Sequence, residues 1–173
     1  MTVELIRCPT DDDWIECKRR ALITQYGKGL GKINKPTSEW KHGILAARHS
    51  PIRYLQYGFL IRDIPSNTSV HLCRHVHAQP YVSSLRNDRQ DIMDGNAARR
   101  DTPVNMIFDV NAEELMVIAN KRLCNKAEEK TREVIMYMCF EALKATPEFQ
   151  GLLVPMCRYG RCHEMKPCRK ETI

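Results

Sequence analysis

Residues 74 to 86, RHVHAQPYVSSLR, contain two arginines, two histidines and two serines, with no acidic residue among them. A guanidinium fork matches the oxygens of a phosphate, and serine hydroxyls with backbone N–H groups complete such a cradle. The stretch therefore suits a phosphorylated ligand, with solvated surface charge as the plain alternative. The eight cysteines are a second chemical resource. Cys157, Cys162 and Cys168, with His163 nearby, are soft ligands for zinc or iron. Their spacings are looser than a Cys-x-x-Cys knuckle, and a closed site needs four ligands from one short tail. We therefore read them first as reduced thiols in a basic, partly mobile terminus, spanning 155–173, and expect no metal. Cys8, Cys17, Cys73, Cys124 and Cys139 are scattered and read as small apolar residues.

A chain of 173 residues is one domain's length, short for an enzyme that encloses two large ligands in one subunit, so sites shared between subunits are expected. With 27 Lys+Arg against 21 Asp+Glu, the net charge of +6 favours phosphorylated small ligands or nucleic acid. The N-terminal stretch has no apolar signal-peptide core, and no run of about 18 apolar residues occurs, so a cytoplasmic protein without membrane spans is expected.

The elements that must position these residues follow from periodicity. A helix is expected over about 12–26, then a mobile, lid-like loop in GKGLGKINKPTS. Ser38 is placed to cap a helix through EWKHGILAAR that ends at His49-Ser50-Pro51. Leu55, Tyr57, Phe59 and Ile61 alternate with more polar neighbours, the period of a half-buried strand. Pro65 and Ser66 open a short helix that delivers Arg74 and His75 at its C-terminal end. Residues 87–102 read as a surface loop or short helix, and PVNMIFDV as a second strand. Asn111 and Glu114 outline a capping box before a helix carrying Leu115, Ile118, Ala119 and Leu123. The longest helix, about 127–145, bears the core stripe Val134, Ile135, Met138, Cys139 and Leu143. Strands among helices give one α+β domain over 1–173, with a central, mostly antiparallel sheet flanked by helices.

Three ordered blocks carry a resemblance. Arg74-His75-x, seven residues, then Ser84, with Arg86 two further on, resembles the Arg-His-Arg-x7-Ser motif of the flavin-dependent thymidylate synthases. AARRDTP, with Arg99 four residues before Pro103, resembles that family's phosphate-binding segment. The block from Asn111 to Arg132 resembles its C-terminal helical region, with Arg122 five residues before Ala127, and RHSPIRY resembles its His-x-x-Pro segment. Five positions depart from the family pattern: Val76, Gln79, Tyr81-Val82 and Glu128 replace arginine, serine, Asn-Glu and glutamine.

The resemblance implies one-carbon transfer from methylenetetrahydrofolate to dUMP, mediated by reduced FAD with NADPH as reductant, in a homotetramer with shared sites. It implies that Ser84, Arg86 and Arg99 hold the dUMP phosphate and that Arg122 polarises the uracil. It also implies that Arg74, His75 and Asn111 hold FAD, with His49 a candidate for the flavin or folate side. No cysteine is expected to act as nucleophile. Cys73 precedes the motif, and Cys124 stands about 200° from Arg122 if one helix runs through both, so the two should not share a pocket. The altered residues around Gln79 leave open another product, such as hydroxymethyl-dUMP, and the basic charge leaves open a non-enzymatic nucleic-acid-binding module.

Overall fold

The computed structural model describes residues 1–25, 28–160, 162 and 164–168. Four strands, β1 (Thr2–Arg7), β2 (Gln56–Pro65), β3 (Ala78–Val82) and β4 (Pro103–Asn111), form one sheet in the order β1-β2-β4-β3. Every neighbouring pair is antiparallel. Five helices accompany it: α1 (Asp11–Ile23), α2 (Ser38–Ala46), α3 (Ser66–Cys73), α4 (Ala112–Arg122) and α5 (Glu129–Ala145). The single α+β domain with an antiparallel sheet expected from periodicity is what the chain adopts.

The register explains the core. Phe59 of β2 stands opposite Phe108 of β4, and Tyr57 opposite Val110, all buried on the face that meets the helices. The Tyr57 hydroxyl reaches Thr146 Oγ1 at 2.9 Å, and its ring lies 5.5 Å from that of Phe149, which ties the sheet to the turn after α5. Val134, Ile135, Met138 and Cys139 face the same core from α5. On the opposite face Glu4, Leu60, Ile107 and Tyr81 line up across all four strands, and Ile107 and Tyr81 are exposed.

The structure corrects several expectations. Residues 1–37 contain β1 as well as a helix, because Val3 and Leu5 tuck partly under the sheet while Thr2 and Glu4 face out. Within the 74–86 stretch, to which the sequence assigns no element beyond Arg74 and His75, residues 78–82 form edge strand β3, where Pro80 is tolerated. Thr37, rather than Ser38, caps α2, its hydroxyl accepting from the Trp40 N–H. The segment read as a lid is fastened where it is described: Arg19 donates to the carbonyls of Gly29 and Gly31, and Lys18 to that of Asn34. Tyr26 and Gly27, at the end of the helix and start of the loop expected there, lie outside the described residues. No helix among the described residues is long and apolar enough to cross a membrane.

Candidate functional site

Two helix ends set the centre of the site. α3 stops at Cys73, so Arg74 becomes its C-cap and His75 turns inward, only 6% exposed. α4 starts at the Asn111 cap, whose side-chain oxygen accepts from the Glu114 N–H at 2.9 Å. Half of the expected capping box is thus present. The Glu114 carboxylate, instead of turning back to the cap, meets His75 Nδ1 at 3.3 Å. On the other side of the ring, Arg122 donates from Nε to His75 Nε2 at 3.1 Å.

This geometry assigns the tautomer. The Arg122 N–H can only donate, so Nε2 must accept and the proton of a neutral ring resides on Nδ1, aimed at Glu114. Burial, reinforced by the positive charges of Arg122 and Lys121, lowers the His75 pKa to about 4, in accord with a neutral imidazole. The contact with Glu114 is accordingly a hydrogen bond to a neutral ring. Burial also raises the Glu114 pKa.

Arg74 points elsewhere, into a cleft of about 640 Å³ between α3 and the edge of the sheet. His71, Ser66, Ser69, Ser83 and Arg100 share its walls, and no carboxylate is among its lining residues. Among the described residues, no hydrogen bond or ion pair occupies the Arg74 or Arg100 side chain. The cleft is a cationic, hydroxyl-lined recess suited to a phosphate group.

The other arginines have their own anions. Arg86 forms a bidentate pair with Asp88 through two 2.8 Å bonds, and Arg99 approaches Asp101 at 3.4 Å. Their side chains are 68% and 81% exposed. Ser84 Oγ accepts from the Arg86 N–H at 3.2 Å, holding that turn. The acid-free reading of residues 74–86 therefore needs amendment, because Asp88 and Glu114 come back from just beyond it and from α4. Arg100 was missed: of the adjacent pair in AARRDTP, Arg100 and not Arg99 enters the cleft. The signal was the doubled arginine, but its register depends on Arg100 O accepting from the Asn67 N–H at 2.9 Å, which no local pattern announces.

His49 lies apart, beside Trp40 and Pro51 in a cavity of about 420 Å³ under α1 and α2. Arg122, besides holding His75, lines a further cavity of about 570 Å³. Cys124 lines it too, contrary to the helical-wheel expectation, because α4 ends at Arg122 and the wheel no longer applies two residues on. Cys73 is an exposed residue, and the partial shielding of its sulfur raises its thiol pKa, which is unfavourable for a thiolate nucleophile. Four departures from the motif also have places. Val76 is 83% exposed, Gln79 and Tyr81 are joined at 3.4 Å on β3, and Val82 lines the basic cleft.

The chain's fold is shared with known enzymes. A thymidylate synthase X of Helicobacter pylori crystallised with FAD and dUMP matches with a TM-score of 0.67 at 18% identity, covering 88% of this chain and 97% of that one. A second structure, a flavin-dependent thymidylate synthase of Helicobacter pylori complexed with FAD and dUMP, gives 0.64 at 18% identity, over 88% and 98% of the two chains. A UMP/dUMP methylase of Streptomyces cacaoi, bound to 5-bromo-dUMP, gives 0.65 at 16% identity, over 86% and 94%. The likeness is one of fold. No family model and no curated protein matches the sequence.

Proposed function

We propose that this chain is a flavin-dependent enzyme acting on a pyrimidine nucleotide, transferring a one-carbon unit from methylenetetrahydrofolate to dUMP with reduced FAD and NADPH to form dTMP. The observation that carries the reading is the division of labour at the end of α3, where Arg74 lines an acid-free basic cleft while His75 grips Arg122. The overlap of this fold with enzymes crystallised with FAD and dUMP supports it.

FAD is a diphosphate, and Arg74 and Arg100, unpaired among the described residues and set among serine hydroxyls, fit its anionic portion. When bound, the reduced flavin supplies the electrons that convert the transferred carbon to a methyl group. Asn111 serves this region through α4, whose first turn it holds in place. Arg122, fixed through Nε, keeps its remaining N–H groups for a uracil carbonyl, where they stabilise negative charge as the ring is attacked. Ser84, Arg86 and Arg99 hold the dUMP phosphate once the two arginines give up Asp88 and Asp101. No sulfur nucleophile is required, in keeping with the raised thiol pKa of Cys73.

His49, Arg74, Arg86 and Arg122 open onto four different recesses of one chain. A homotetramer whose sites are completed by neighbouring subunits brings such groups to common ligands. The apolar side chains of Met136, Tyr137 and Phe140 exposed on α5 supply a surface for that assembly.

A second reading concerns the product. The exposed Val76 and the Gln79–Tyr81 pair change the chemical character of the motif region, and the matched UMP/dUMP methylase has the same fold. These features favour a related flavin and folate enzyme making another 5-substituted pyrimidine nucleotide. Incubation with dUMP or UMP, labelled methylenetetrahydrofolate, FAD and NADPH, followed by mass analysis, tests both readings. A methyl increment on dUMP supports thymidylate formation, a hydroxymethyl increment or methylation confined to UMP supports the second, and no labelled nucleotide contradicts both.

A further inference from the structure

The face of the sheet away from the core is open. Glu4, Leu60, Ile107 and Tyr81 cross it in one row, and Ile6, Ile107 and Tyr81 are 47%, 38% and 59% exposed. A solvated sheet face ordinarily carries polar side chains, whereas this one keeps an apolar centre.

Charges surround that centre. Glu4 pairs with Arg62 at 3.1 Å. Further along, the pairing of β1 with β2 slips at Ile6, and a Cβ on Gly58 would stand 2.7 Å from Asp109 Oδ1, 3.1 Å from Arg7 Cβ and 3.5 Å from Ile6 Cγ1. Glycine thus lets the Arg7 and Asp109 side chains converge on this face from the strands on either side of β2. Among the described residues neither side chain has a hydrogen bond or ion pair, so a guanidinium and a carboxylate stand available to groups outside the chain.

The strand order β1-β2-β4-β3 has its seam between β2 and β4. A two-fold axis along that seam, midway between two face-to-face sheets about 10 Å apart, sets each residue of β2 against the copy of its own β4 neighbour. From the register, Leu60 then faces the partner's Ile107, Gly58 the partner's Asp109, and Glu4 the partner's Tyr81. Apolar side chains meet at the centre, the Tyr81 hydroxyl is offered a carboxylate, and Arg7 comes beside the partner's Asp109. A two-fold axis across the strands would instead stack Glu4 on the partner's Glu4, which like-charge repulsion disfavours. The face is thus complementary to itself in one orientation.

We propose that the open sheet face binds a second copy of this chain through this two-fold pairing, centred on Leu60 and Ile107 and closed by reciprocal Arg7–Asp109 ion pairs. The inference rests on the proposed homotetramer: a closed dihedral assembly of four chains needs two different self-complementary faces, and the exposed residues of α5 offer one of them.

The test is sedimentation velocity of the full chain, reduced and without flavin or nucleotide. The wild type should sediment as four chains, Ile107→Lys as two, and Ile107→Lys combined with Phe140→Glu as one. Tyr81→Glu, which sets a carboxylate against the partner's Glu4, should also halve the particle, whereas Tyr81→Lys should leave it whole. Arg7→Asp should raise the dissociation constant by at least about tenfold, and adding Asp109→Lys should restore it. Circular dichroism identifies any variant that fails to fold, and the exposed Tyr81 pair then carries the test in place of Ile107→Lys. A tetramer that persists in folded Ile107→Lys or Tyr81→Glu overturns the inference and leaves the homotetramer standing; a wild-type monomer overturns both. Particle size is read without turnover, so the result is independent of the proposed reaction.

Discussion

Arg122 and His75, 47 residues apart in sequence, meet through a single N–H to N bond of 3.1 Å, with Glu114 holding the opposite edge of the imidazole. The relay fixes the direction of the Arg122 guanidinium, and the proposed reaction depends on that direction. Arg122→Ala should reduce kcat/KM for dUMP by about 10²–10³-fold, the usual cost of losing a donor aimed at developing charge. Glu114→Ala leaves Arg122 present but its partner unoriented, and should lower kcat by about tenfold with little change in KM. Steady-state kinetics at saturating FAD checks both; wild-type kcat in folded Glu114→Ala contradicts the relay.

The same histidine predicts an acid-sensitive fold. Its pKa falls from 6.5 in the unfolded chain to about 4 in the folded one, so between these values the unfolded state binds more protons. Stability contributed by neutral His75 is complete above pH 6.5 and is lost as pH falls toward 4. The loss is about 1–3 kcal/mol, the upper figure taking the whole shift and the lower allowing for solvent screening. Glu114, whose folded pKa is raised, works in the opposite sense, costing stability near neutrality and taking up a proton on acidification. Urea melts at pH 7.0 and 5.0 should show a smaller pH dependence for His75→Gln, which keeps an acceptor for Arg122, than for the wild type. Identical pH dependence rules out a buried neutral histidine.

Arginines with and without carboxylate partners should behave differently. Arg74→Ala and Arg100→Ala should each weaken FAD binding by about 1.5–3 kcal/mol, the worth of a charge-assisted hydrogen bond. Asp88→Asn frees Arg86 and should tighten dUMP by about 0.2–1 kcal/mol without affecting deoxyuridine. Calorimetric titration reads each value, and equal effects of Asp88→Asn on dUMP and deoxyuridine would remove Arg86 from the phosphate site.

Much of this architecture was readable because long periodic segments settle their own type. β2, α4 and α5 followed from alternation or helical stripes of apolar residues, and the antiparallel α+β class followed from them. The edge strands β1 and β3 are short, and Pro80 with its exposed neighbours hides the second of them; their pairing partners lie over twenty residues away. Arg74, His75 and Arg122 stand out in the sequence by type and spacing, but two facts about their surroundings needed the third dimension. Glu114 resembles a capping residue until α3 brings His75 against it, and Arg100 is indistinguishable from Arg99 until the cleft is formed. Cys124 was misjudged because a helix was extended past its end.

Assembly should be visible in solution. Light scattering behind a sizing column should report four chains per particle, and Phe140→Glu, which places a charge on the exposed apolar face of α5, should shift the population toward smaller species. Mixing Arg74→Ala with Arg122→Ala chains should restore part of the activity if both residues contribute to one shared site. A monomer with full turnover contradicts shared sites.

The most direct test of the central claim is flavin retention. Purified protein is loaded with excess FAD, desalted, denatured and assayed for released flavin by fluorescence. A yellow protein is expected that releases close to one FAD per chain, with release sharply reduced in Arg74→Ala. A colourless protein that retains no flavin, with no quenching of flavin fluorescence on titration, contradicts it.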